Sequence, residues 1–363
     1  MVNKILFFED SSYSSFGGGQ VVTEILIKYL LRKKINVMVF DYTDNSVFCE
    51  KIKSHGVRSI KLRFGLRRSN KGYGASQVPS VFKNFFLPFL MFFDLFKILP
   101  IVRHNKSAIF LSTTRFSHFF VFLIKIVFGR HWVAHVHSNE KNLFLRRMVR
   151  FVLKRADHVI FVSDYVSSLY KISLSSVLYN PVDLPSKTVE RRAGSKLCFS
   201  FVGNLFEWKG INQFLDAAVI FLQTNGDVEF KVFGDGPKFN QLKASYPAVK
   251  FLGRVERDKL YSEFDVLVLP SVDAESCPMV VLESVVSGKV CITTNFGGQK
   301  ELVDKFGGVL IKPNDIDDLL LAFRKIKAVF PLIGQKSNFT KEIFDSDKYG
   351  EKFLAMVQNE TRG

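Results

Sequence analysis

The chain has little of what marks a disulfide-rich, zinc-binding or dinucleotide-binding protein. Its 363 residues include only four cysteines, which are widely spaced and form no Cys-x-x-Cys pair. This pattern argues against a zinc site or a disulfide framework and is typical of a reducing compartment. The sequence also lacks the Gly-x-Gly-x-x-Gly of a dinucleotide-binding turn, the Lys-Ser/Thr of a P-loop, and any internal repeat of roughly 20–50 residues.

Long uninterrupted apolar runs are missing as well. At the start of the chain, only Ile5–Phe8 separates the first lysine from an acidic pair, which predicts a first strand rather than a signal peptide. The most apolar stretch, residues 81–102, contains one aspartate, two lysines and two prolines, whereas a spanning helix needs about 20 mostly apolar residues. We expect a helix here that either lies at a membrane interface or grips an acceptor, or else is buried in the core. The Phe-rich residues 116–128 have the same two interpretations.

Acidic residues are scarce in the first half of the chain. Residues 1–184 hold 27 Lys and Arg against 11 Asp and Glu, whereas residues 185–363 hold 24 against 23, so the net charge of +17 is concentrated in the first half. This asymmetry suggests that the first half faces a polyanion such as an anionic membrane surface, a lipid-linked phosphate or a nucleic acid. The alternative is that the basic side chains only keep the surface solvated.

Strand and helix patterns alternate along both halves of the chain. Short apolar runs, such as residues 36–41 and 197–203, are followed by apolar positions at helical spacing. This alternation predicts an α/β protein with parallel sheets. A polar, charged linker after Asp183 separates two such series, so we expect two Rossmann-like domains, residues 1–184 and 185–341.

The stretch from Pro270 to Glu301 carries the strongest chemical signal. Glu275 and Glu283 stand eight residues apart, a buried-strand pattern precedes them, and Pro278 suits the first turn of a helix. We therefore predict a strand, a loop that carries Glu275, and a helix that carries Glu283. The free N–H groups of the helix start favour an anion or hydroxyl oxygens, and the two carboxylates could accept hydrogen bonds from the transferred sugar and the ribose of a sugar nucleotide. The alternative is a pair of solvated helix-end charges.

Three further segments supply candidate ligand-binding groups. Gly17–Gly19 lie between a strand pattern and a helix pattern, which is an arrangement that cradles phosphates but also makes ordinary turns. His137 ends a strand pattern, where side chains of a parallel sheet point into the ligand crevice, although a lone histidine is more often structural. Lys209, in a loop before a helix, and Arg254, after another strand, can each reach a phosphate.

The Glu275–Glu283 stretch, with a second glycine turn at residues 295–301, resembles the retaining glycosyltransferases of the GT-B fold with the Glu-x7-Glu signature, the large group 1 and family 4 type. The similarity runs along nearly the whole chain. Residues 178–183, Leu-Tyr-Asn-Pro-Val-Asp, match the hinge motif of that family, with proline in place of its usual glycine. The resemblance implies two Rossmann-like domains that face each other across a cleft, and a last helix, within residues 342–363, that returns to the first domain.

The same resemblance assigns site residues. It implies Glu275, His137 and Lys209 as catalytic residues. The implied donor-binding residues come from the glycine segment, from loops that follow strands, and from the start of the Glu283 helix: Gly17, Gly18, Gly19, Asn204, Lys209, Gly234, Arg254, Ser276, Cys277, Pro278, Met279, Val280 and Glu283. Asn204 stands where the family usually has arginine, so the phosphate clamp has one charge less.

The implied reaction moves a sugar from a nucleotide donor on the second domain to a hydroxyl acceptor on the first, with retention at the anomeric carbon. No metal or other cofactor is expected, because no Asp-x-Asp follows a strand, and Lys209, Arg254 and helix starts can meet the phosphate charge. The basic, Phe-rich first half suggests a lipid-linked or glycolipid acceptor and a peripheral position at the cytoplasmic face of the membrane. These features point to bacterial O-antigen, capsule or lipopolysaccharide synthesis.

Three other classes of function stay open at this point. A nucleotide-sugar epimerase of the same fold would isomerise its substrate without an acceptor. An NAD enzyme would need the missing glycine motif and an acidic ribose partner. A basic membrane- or nucleic-acid-binding protein without catalysis would explain the charge, but no known nucleic-acid motif is present, and we expect no nucleic acid as a partner.

Overall fold

The structure, a computed structural model, describes residues 2–10, 17–42, 46–62, 87–183, 195–330 and 344–359. It divides into two compact units. Unit 1 comprises Met1–Pro181 and Ser346–Gly363, and unit 2 comprises Val182–Asp345. Most of the predicted linker and the first residues of the predicted apolar helix, before Leu87, lie outside the described residues.

Unit 1 is built on seven parallel strands in the order β3-β2-β1-β4-β5-β6-β7. The strands are β1 (Lys4–Glu9), β2 (Asn36–Asp41), β3 (Arg58–Lys61), β4 (Ile109–Ser112), β5 (Trp132–Val136), β6 (His158–Phe161) and β7 (Ser175–Val177). The helices are α1 (Gly18–Arg32), α2 (Val47–Ser54), α3 (Leu87–His104), α4 (Arg115–Phe128), α5 (Leu143–Leu153) and α6 (Asp164–Tyr170). Parallel strands need such crossover helices because consecutive strands run in the same direction.

Unit 2 is built on six parallel strands in the order β10-β9-β8-β11-β12-β13. The strands are β8 (Leu197–Val202), β9 (Val228–Phe233), β10 (Lys250–Gly253), β11 (Val266–Leu269), β12 (Val290–Thr294) and β13 (Val309–Ile311). The helices are α7 (Ile211–Leu222), α8 (Phe239–Ser245), α9 (Arg257–Leu260), α10 (Met279–Val286), α11 (Gly297–Phe306) and α12 (Ile316–Val329). The last helix, α13 (Ser346–Asn359), belongs to unit 1 and packs against α1, where Gly350 lies next to the Tyr29 ring.

Interior strands of both sheets are buried along their whole length and almost entirely apolar, with His135 of β5 as a polar exception. All five residues of β5 and all four residues of β11 are buried. A strand of a parallel sheet loses both faces to covering helices, so its sequence reads as a continuous apolar run instead of alternating. The predicted α/β class with a parallel sheet in each half of the chain is therefore confirmed.

Each sheet has one place where the strand order reverses. In unit 1 the reversal lies between β1 and β4, and in unit 2 it lies between β8 and β11. At such a switch point the loops after the two neighbouring strands leave in opposite directions and open a crevice at the carboxyl ends of the strands, where open α/β sheets bind ligands. The fold thus marks one candidate crevice in each unit.

The two Phe-rich segments form α3 and α4, and each has a buried and an exposed side. In α3, Leu95, Ile98 and Val102 are buried, whereas Phe92, Phe93 and Phe96 are exposed. In α4 the residues Phe120, Val121 and Ile124 are buried, whereas Ile126 and Val127 are exposed. The core interpretation therefore holds for one side of each helix, and the membrane or acceptor interpretation stays a prediction. Within the described part of the chain, no helix combines the length and apolar character needed to cross a bilayer.

Candidate functional site

The switch point of unit 2 holds an ion pair between Lys209 and Glu275. Lys209 lies in the segment after β8, and Glu275 lies in the loop after β11. The Lys209 Nζ is 2.6 Å from one carboxylate oxygen of Glu275, and the hydroxyl of Ser271 donates to the other oxygen at 2.7 Å. The exposed fractions of the two charged side chains are only 16% and 10%. The sequence predicted both residues as site residues but did not predict their contact.

Lys209 is held by a short 3-10 turn, Glu207–Lys209, which ends at Gly210. Gly210 has a φ of +78°, and a Cβ atom there would lie 1.9 Å from the Pro270 carbonyl oxygen, so only glycine fits against the end of β11. The Val272 N–H also donates to the Trp208 carbonyl at 2.9 Å. These contacts fasten the segment after β8 to the loop after β11 and bring Lys209 to Glu275.

Glu275 is held through its backbone on two sides. Its N–H donates to the Gln299 side-chain oxygen at 2.8 Å, and its carbonyl accepts from the Gly298 N–H at 2.7 Å. A Cβ atom at position 298 would lie 2.0 Å from the Ser276 carbonyl oxygen, which explains a glycine in this turn. The Gln299 amide in turn donates to Thr294 and to the Asp273 carbonyl. The second glycine turn predicted at residues 295–301 is instead, from Gly297 on, the first turn of α11, and this helix start supports the Glu275 loop.

Glu283 lies inside α10, as predicted, and it is buried. Its carboxylate is paired with the Arg257 guanidinium of α9 and accepts a hydrogen bond from the Tyr261 hydroxyl. Burial raises the pKa of Tyr261 well above its usual range, so this hydroxyl stays a donor at physiological pH. Sequence reasoning missed Arg257 and Tyr261, because they precede Glu283 by more than twenty residues and belong to no recognised motif.

The remaining predicted donor residues of unit 2 are distributed around these two carboxylates. Ser276 and Cys277 continue the Glu275 loop, and Met279 and Val280 begin α10. Pro278 is the residue immediately before the helix and caps it, which corrects its predicted place in the first turn. The φ of −67° at this cap suits proline, whose ring sets that angle.

Three other predicted residues lie at the ends of β8, β9 and β10. Asn204 is exposed after β8, and the Gly234 N–H donates to the Gly253 carbonyl at 2.7 Å after β9. Arg254 follows β10, the edge strand, which is two strands away from β8. Its side chain is 73% exposed and lies 3.9 Å from Asp235. Among the predicted cations, the structure thus places Lys209 at the switch point and Arg254 at the edge of the sheet.

Unit 1 brings the glycine segment next to the predicted histidine. The sequence placed Gly17–Gly19 before the helix, but in the structure Gly17 caps α1, and Gly18 and Gly19 are the first residues of the helix. The reason is local, because the Gln20 side chain accepts from the Gly17 N–H at 2.9 Å. This is one half of a capping box, since glycine has no side chain to supply the other half. A Cβ atom at Gly19 would lie 3.6 Å from His137.

His137 is half-buried and lies next to the buried His135, and neither ring is charged at neutral pH. The His137 Nε2 is 3.1 Å from the Nδ1 of His135, a distance at which one ring donates to the other. Burial lowers the pKa of His137 to about 4 and holds that of His135 well below its usual range. His118, whose Nδ1 is 2.7 Å from the Ser112 hydroxyl, also has a pKa lowered by burial, to about 3.

Glu9, at the end of β1, was not singled out from the sequence. It is 3% exposed, and its carboxyl group accepts from the Thr113 hydroxyl at 2.7 Å and from the Thr23 hydroxyl at 3.3 Å. Burial, together with the nearby charge of Asp41, raises the pKa of Glu9 to about 8. The crevice of unit 1 is therefore lined by a carboxyl group that is mostly protonated at pH 7 and by neutral histidines.

The shifted pKa values of four groups, Glu9, His118, His135 and His137, predict that thermal stability is greatest near pH 6.5. The unfolded histidines bind protons below about pH 6.5, whereas the folded ones stay neutral to about pH 4 or lower, so stability falls on acidification. Glu9 has the opposite effect on the pH dependence of stability. In the folded protein it keeps its proton up to about pH 8, whereas in the unfolded chain it loses the proton near pH 4.5, so stability falls as the pH rises. Scanning calorimetry between pH 4.5 and 8 measures both the acid and the alkaline decline in stability.

Glu9→Gln is the matched control for this profile, since it keeps the shape of the protonated acid but does not titrate. It should remove the alkaline decline, which is worth about 2 kcal/mol between pH 6.5 and pH 8, and leave the acid decline in place. An alkaline decline that persists unchanged in Glu9→Gln would show that Glu9 is already ionised in the folded protein.

Two family models match the chain in sequence order. Residues 16–185 match Glycosyltransferase Family 4, and residues 196–327 match Glycosyl transferases group 1. The chain belongs to the group 1 and family 4 glycosyltransferases. The resemblance found in the Glu275–Glu283 stretch is therefore confirmed at the level of the family. The matched residues include His137, Lys209 and Glu275, whereas Glu9 precedes them.

Among curated proteins, a similar relative is the UDP-Gal:alpha-D-GlcNAc-diphosphoundecaprenol alpha-1,3-galactosyltransferase of Escherichia coli. It is 30% identical over 198 residues, which are 50% of this chain and 51% of the relative. The chain thus matches about half the length of that galactosyltransferase.

Solved structures show the same fold. Anabaena Alr3699/HepE in complex with UDP-glucose has a TM-score of 0.76 at 18% identity, and the match covers 98% of this chain and 99% of that one. The apo form of the lipopolysaccharide outer core galactosyltransferase WaaB has a TM-score of 0.72 at 18% identity, with 98% and 99% covered. The predicted GT-B fold is confirmed by these structural neighbours.

Proposed function

We propose that the protein is a retaining glycosyltransferase that moves a sugar from a nucleotide-sugar donor to a hydroxyl group of a lipid-linked or glycolipid acceptor. The observation that carries the proposal is the Lys209–Glu275 pair at the switch point of unit 2, followed in the chain by the buried Glu283. The Anabaena neighbour was solved in complex with UDP-glucose, which supports a nucleotide-sugar donor. Retention is proposed from the family resemblance.

On the donor side, each group has a role that its chemistry allows. The Glu275 carboxylate would orient the transferred sugar and stabilise positive charge at the anomeric carbon. The Lys209 ammonium has three N–H donors and gives one to Glu275, so others remain for the donor diphosphate. The N–H groups at the start of α10 add further positive potential. We therefore include no metal ion and no other cofactor in the proposal.

On the acceptor side, the proposal places the acceptor on unit 1, next to His137. A neutral imidazole in a crevice can accept a proton from, or donate a hydrogen bond to, a sugar hydroxyl. The name of the Escherichia coli relative supports a diphosphate-linked polyprenol acceptor, and that of WaaB supports lipopolysaccharide assembly. We propose a peripheral position at the cytoplasmic face of the membrane and a role in bacterial O-antigen, capsule or lipopolysaccharide synthesis.

The proposed function is tested by donor binding followed by product analysis. In a panel of nucleotide sugars, one donor should raise the melting temperature clearly above the others, because a ligand that binds only the folded state stabilises it. With that donor and a polyprenol-diphosphate sugar, a glycosylated lipid should form with the anomeric configuration of the donor. An isomerised nucleotide sugar without acceptor would indicate an epimerase, and inverted product would remove retention from the proposal.

Glu283→Gln should weaken binding of that donor by about 1.5–3 kcal/mol, the range for a hydrogen bond to a charged group. The physical reason is that the Glu283 carboxylate is proposed to accept hydrogen bonds from the ribose hydroxyls. It would use the oxygen lone pairs that Arg257 and Tyr261 do not occupy. Isothermal titration calorimetry with the donor measures the change.

Tyr261→Phe is the matched control for Glu283→Gln. It removes one hydrogen bond to Glu283 but leaves the carboxylate and its Arg257 partner, so it should keep most of the donor affinity. Equal losses in the two variants would mean that Glu283 acts by holding the buried cluster together. Unchanged affinity in Glu283→Gln would show that the ribose is bound elsewhere.

A further inference from the structure

Helix α5 of unit 1 presents a stripe of apolar side chains to solvent. Leu143, Phe144, Met148 and Phe151 are all exposed, and the exposed fractions of the two phenylalanines reach 69% and 58%. The opposite side of the helix, with Val149, Val152 and Leu153, is buried. Large apolar side chains that cluster at the surface usually mark a contact with another protein or a membrane. The stripe is therefore a candidate docking surface that the proposed donor and acceptor sites do not use.

The stripe borders a groove between α4 and α5. The groove has a volume of about 510 Å³ and is lined by Phe119 and Phe122 of α4 and by Phe144, Met148 and Phe151 of α5, together with Arg147. The aromatic rings supply a large apolar contact area, and the flexible Met148 thioether adapts to irregular partners such as lipid chains. We call the exposed stripe and this groove the α4–α5 face.

The charges on α5 are of one sign. The helix contains three arginines and no acidic residue, and Lys154 follows it directly. The Arg155 guanidinium lies 5.4 Å from the centre of the Phe151 ring, so positive charge adjoins the apolar stripe itself. The nearest acidic residues along the chain, Glu140 and Asp157, are paired with Arg115 and Lys125. The α4–α5 face therefore combines apolar side chains with an excess of positive charge.

We infer that the α4–α5 face docks on an anionic phospholipid bilayer. Phe144, Met148 and Phe151 would enter the boundary between headgroups and acyl chains. The exposed Arg147, with Lys154 and Arg155 directly after α5, would contact lipid phosphates. An amphipathic helix with a basic polar side binds membranes in this way, parallel to the surface. Charge complementarity selects the bilayer as the occupant, because anionic headgroups match the excess of arginine and the acyl boundary matches the phenylalanines. The inference deepens the proposed peripheral membrane position and rests on it only for its biological context.

The docking is tested without turnover, by sedimentation with phosphatidylcholine vesicles that contain or lack phosphatidylglycerol. The triple variant F144S/M148S/F151S should partition onto anionic vesicles about tenfold less than the natural protein, because three apolar anchors are lost. The matched control is I220S/L252S/L321S, which removes three exposed apolar side chains of unit 2 and should bind as the natural protein does. High salt should release part of the bound protein, since the arginine contribution is screened.

A fluorescent label then reports which face touches the lipid. The four natural cysteines are all buried, so Met148→Cys and, as control, Leu321→Cys can each be labelled with a polarity-sensitive dye. Emission from position 148 should shift to the blue on anionic vesicles, and emission from position 321 should not. No shift at position 148 in protein that has bound vesicles would overturn the inference.

The other occupants of the face give different results. If the α4–α5 face were a contact between two copies of the chain, light scattering would show a dimer that F144S/M148S/F151S converts to monomer, and vesicle binding would not change. Donor binding by thermal shift separates this test from that of the proposed function. The triple variant should keep donor binding while it loses vesicle binding. If the natural protein docks on vesicles but binds no nucleotide sugar, the docking inference holds and the proposed transferase function is contradicted.

Discussion

Glu275→Gln should lower the rate of sugar transfer about 100-fold or more, because a positioned charge that stabilises the transition state is often the largest single contribution to catalysis. The substitution keeps the size of the side chain. Glutamine can still accept from Ser271, and the backbone contacts of residue 275 with Gln299 and Gly298 do not depend on the side chain. The loop should therefore stay in place while the negative charge disappears.

Binding of the bare nucleoside diphosphate separates this role from a general loss of the site. In Glu275→Gln, the Lys209 ammonium no longer faces a carboxylate, so its charge is available to the diphosphate. Affinity for the nucleoside diphosphate should therefore hold or increase while transfer falls. Both quantities are measured on one preparation, by steady-state kinetics and by calorimetric titration.

Glu256→Gln is the matched control, since Glu256 lies in the same unit but its side chain is 81% exposed. It should transfer sugar at the natural rate. Normal transfer by Glu275→Gln would show that Glu275 does not act on the sugar. If binding of the nucleoside diphosphate fell as much as turnover, Glu275 would act on the phosphates and not on the sugar.

Lys209→Met should cost up to about 3–5 kcal/mol of unfolding free energy, the range for removing one partner of a buried ion pair, because this pair is largely shielded from water. The reason is the burial of Glu275, which would keep a negative charge in a site that is only 10% exposed and would lose its cation at 2.6 Å. Urea denaturation followed by fluorescence measures the change. Lys250→Met is the control, because the Lys250–Glu229 pair has a 63% exposed lysine and its loss should cost less than about 1 kcal/mol.

The double variant Lys209→Met with Glu275→Gln completes the cycle. Removing both charges leaves no unpaired buried ion, so the double variant should be clearly more stable than Lys209→Met alone. If Lys209→Met were as stable as the natural protein, the Lys209–Glu275 pair would be solvated, and its two charges would not stabilise each other. In that case the cycle would show no coupling between the two residues.

Turnover in Lys209→Met should fall further than donor affinity does. Negative charge grows on the leaving phosphate in the transition state, so a cation next to it contributes more to the rate than to ground-state binding. Donor affinity and transfer rate are compared at a temperature at which the variant is folded. A decrease in affinity alone, with turnover intact, would make Lys209 a binding residue only.

The positions of the two glutamates in local structure followed from the sequence. A buried-strand pattern predicted β11, and Pro278, which suits a helix start, predicted α10, which places Glu275 on a loop and Glu283 in a helix. These features depend on neighbouring residues, as strand and helix patterns do. The prediction of a loop at the glycine segment was wrong for a local reason as well. The hydrogen bond from the Gly17 N–H to the Gln20 side chain favours a helix start where the glycines suggested a loop.

The sequence by itself determined the α/β class, the two series of parallel strands and the loop and helix that carry Glu275 and Glu283, because local periodicity encodes these features. Tertiary structure alone decided the partners. Lys209 and Glu275 are 66 residues apart in the chain, and they meet because β8 pairs with β11 in the sheet. Strand pairing and burial bring together residues that no local pattern connects, and they also set the charge state of groups such as Glu9.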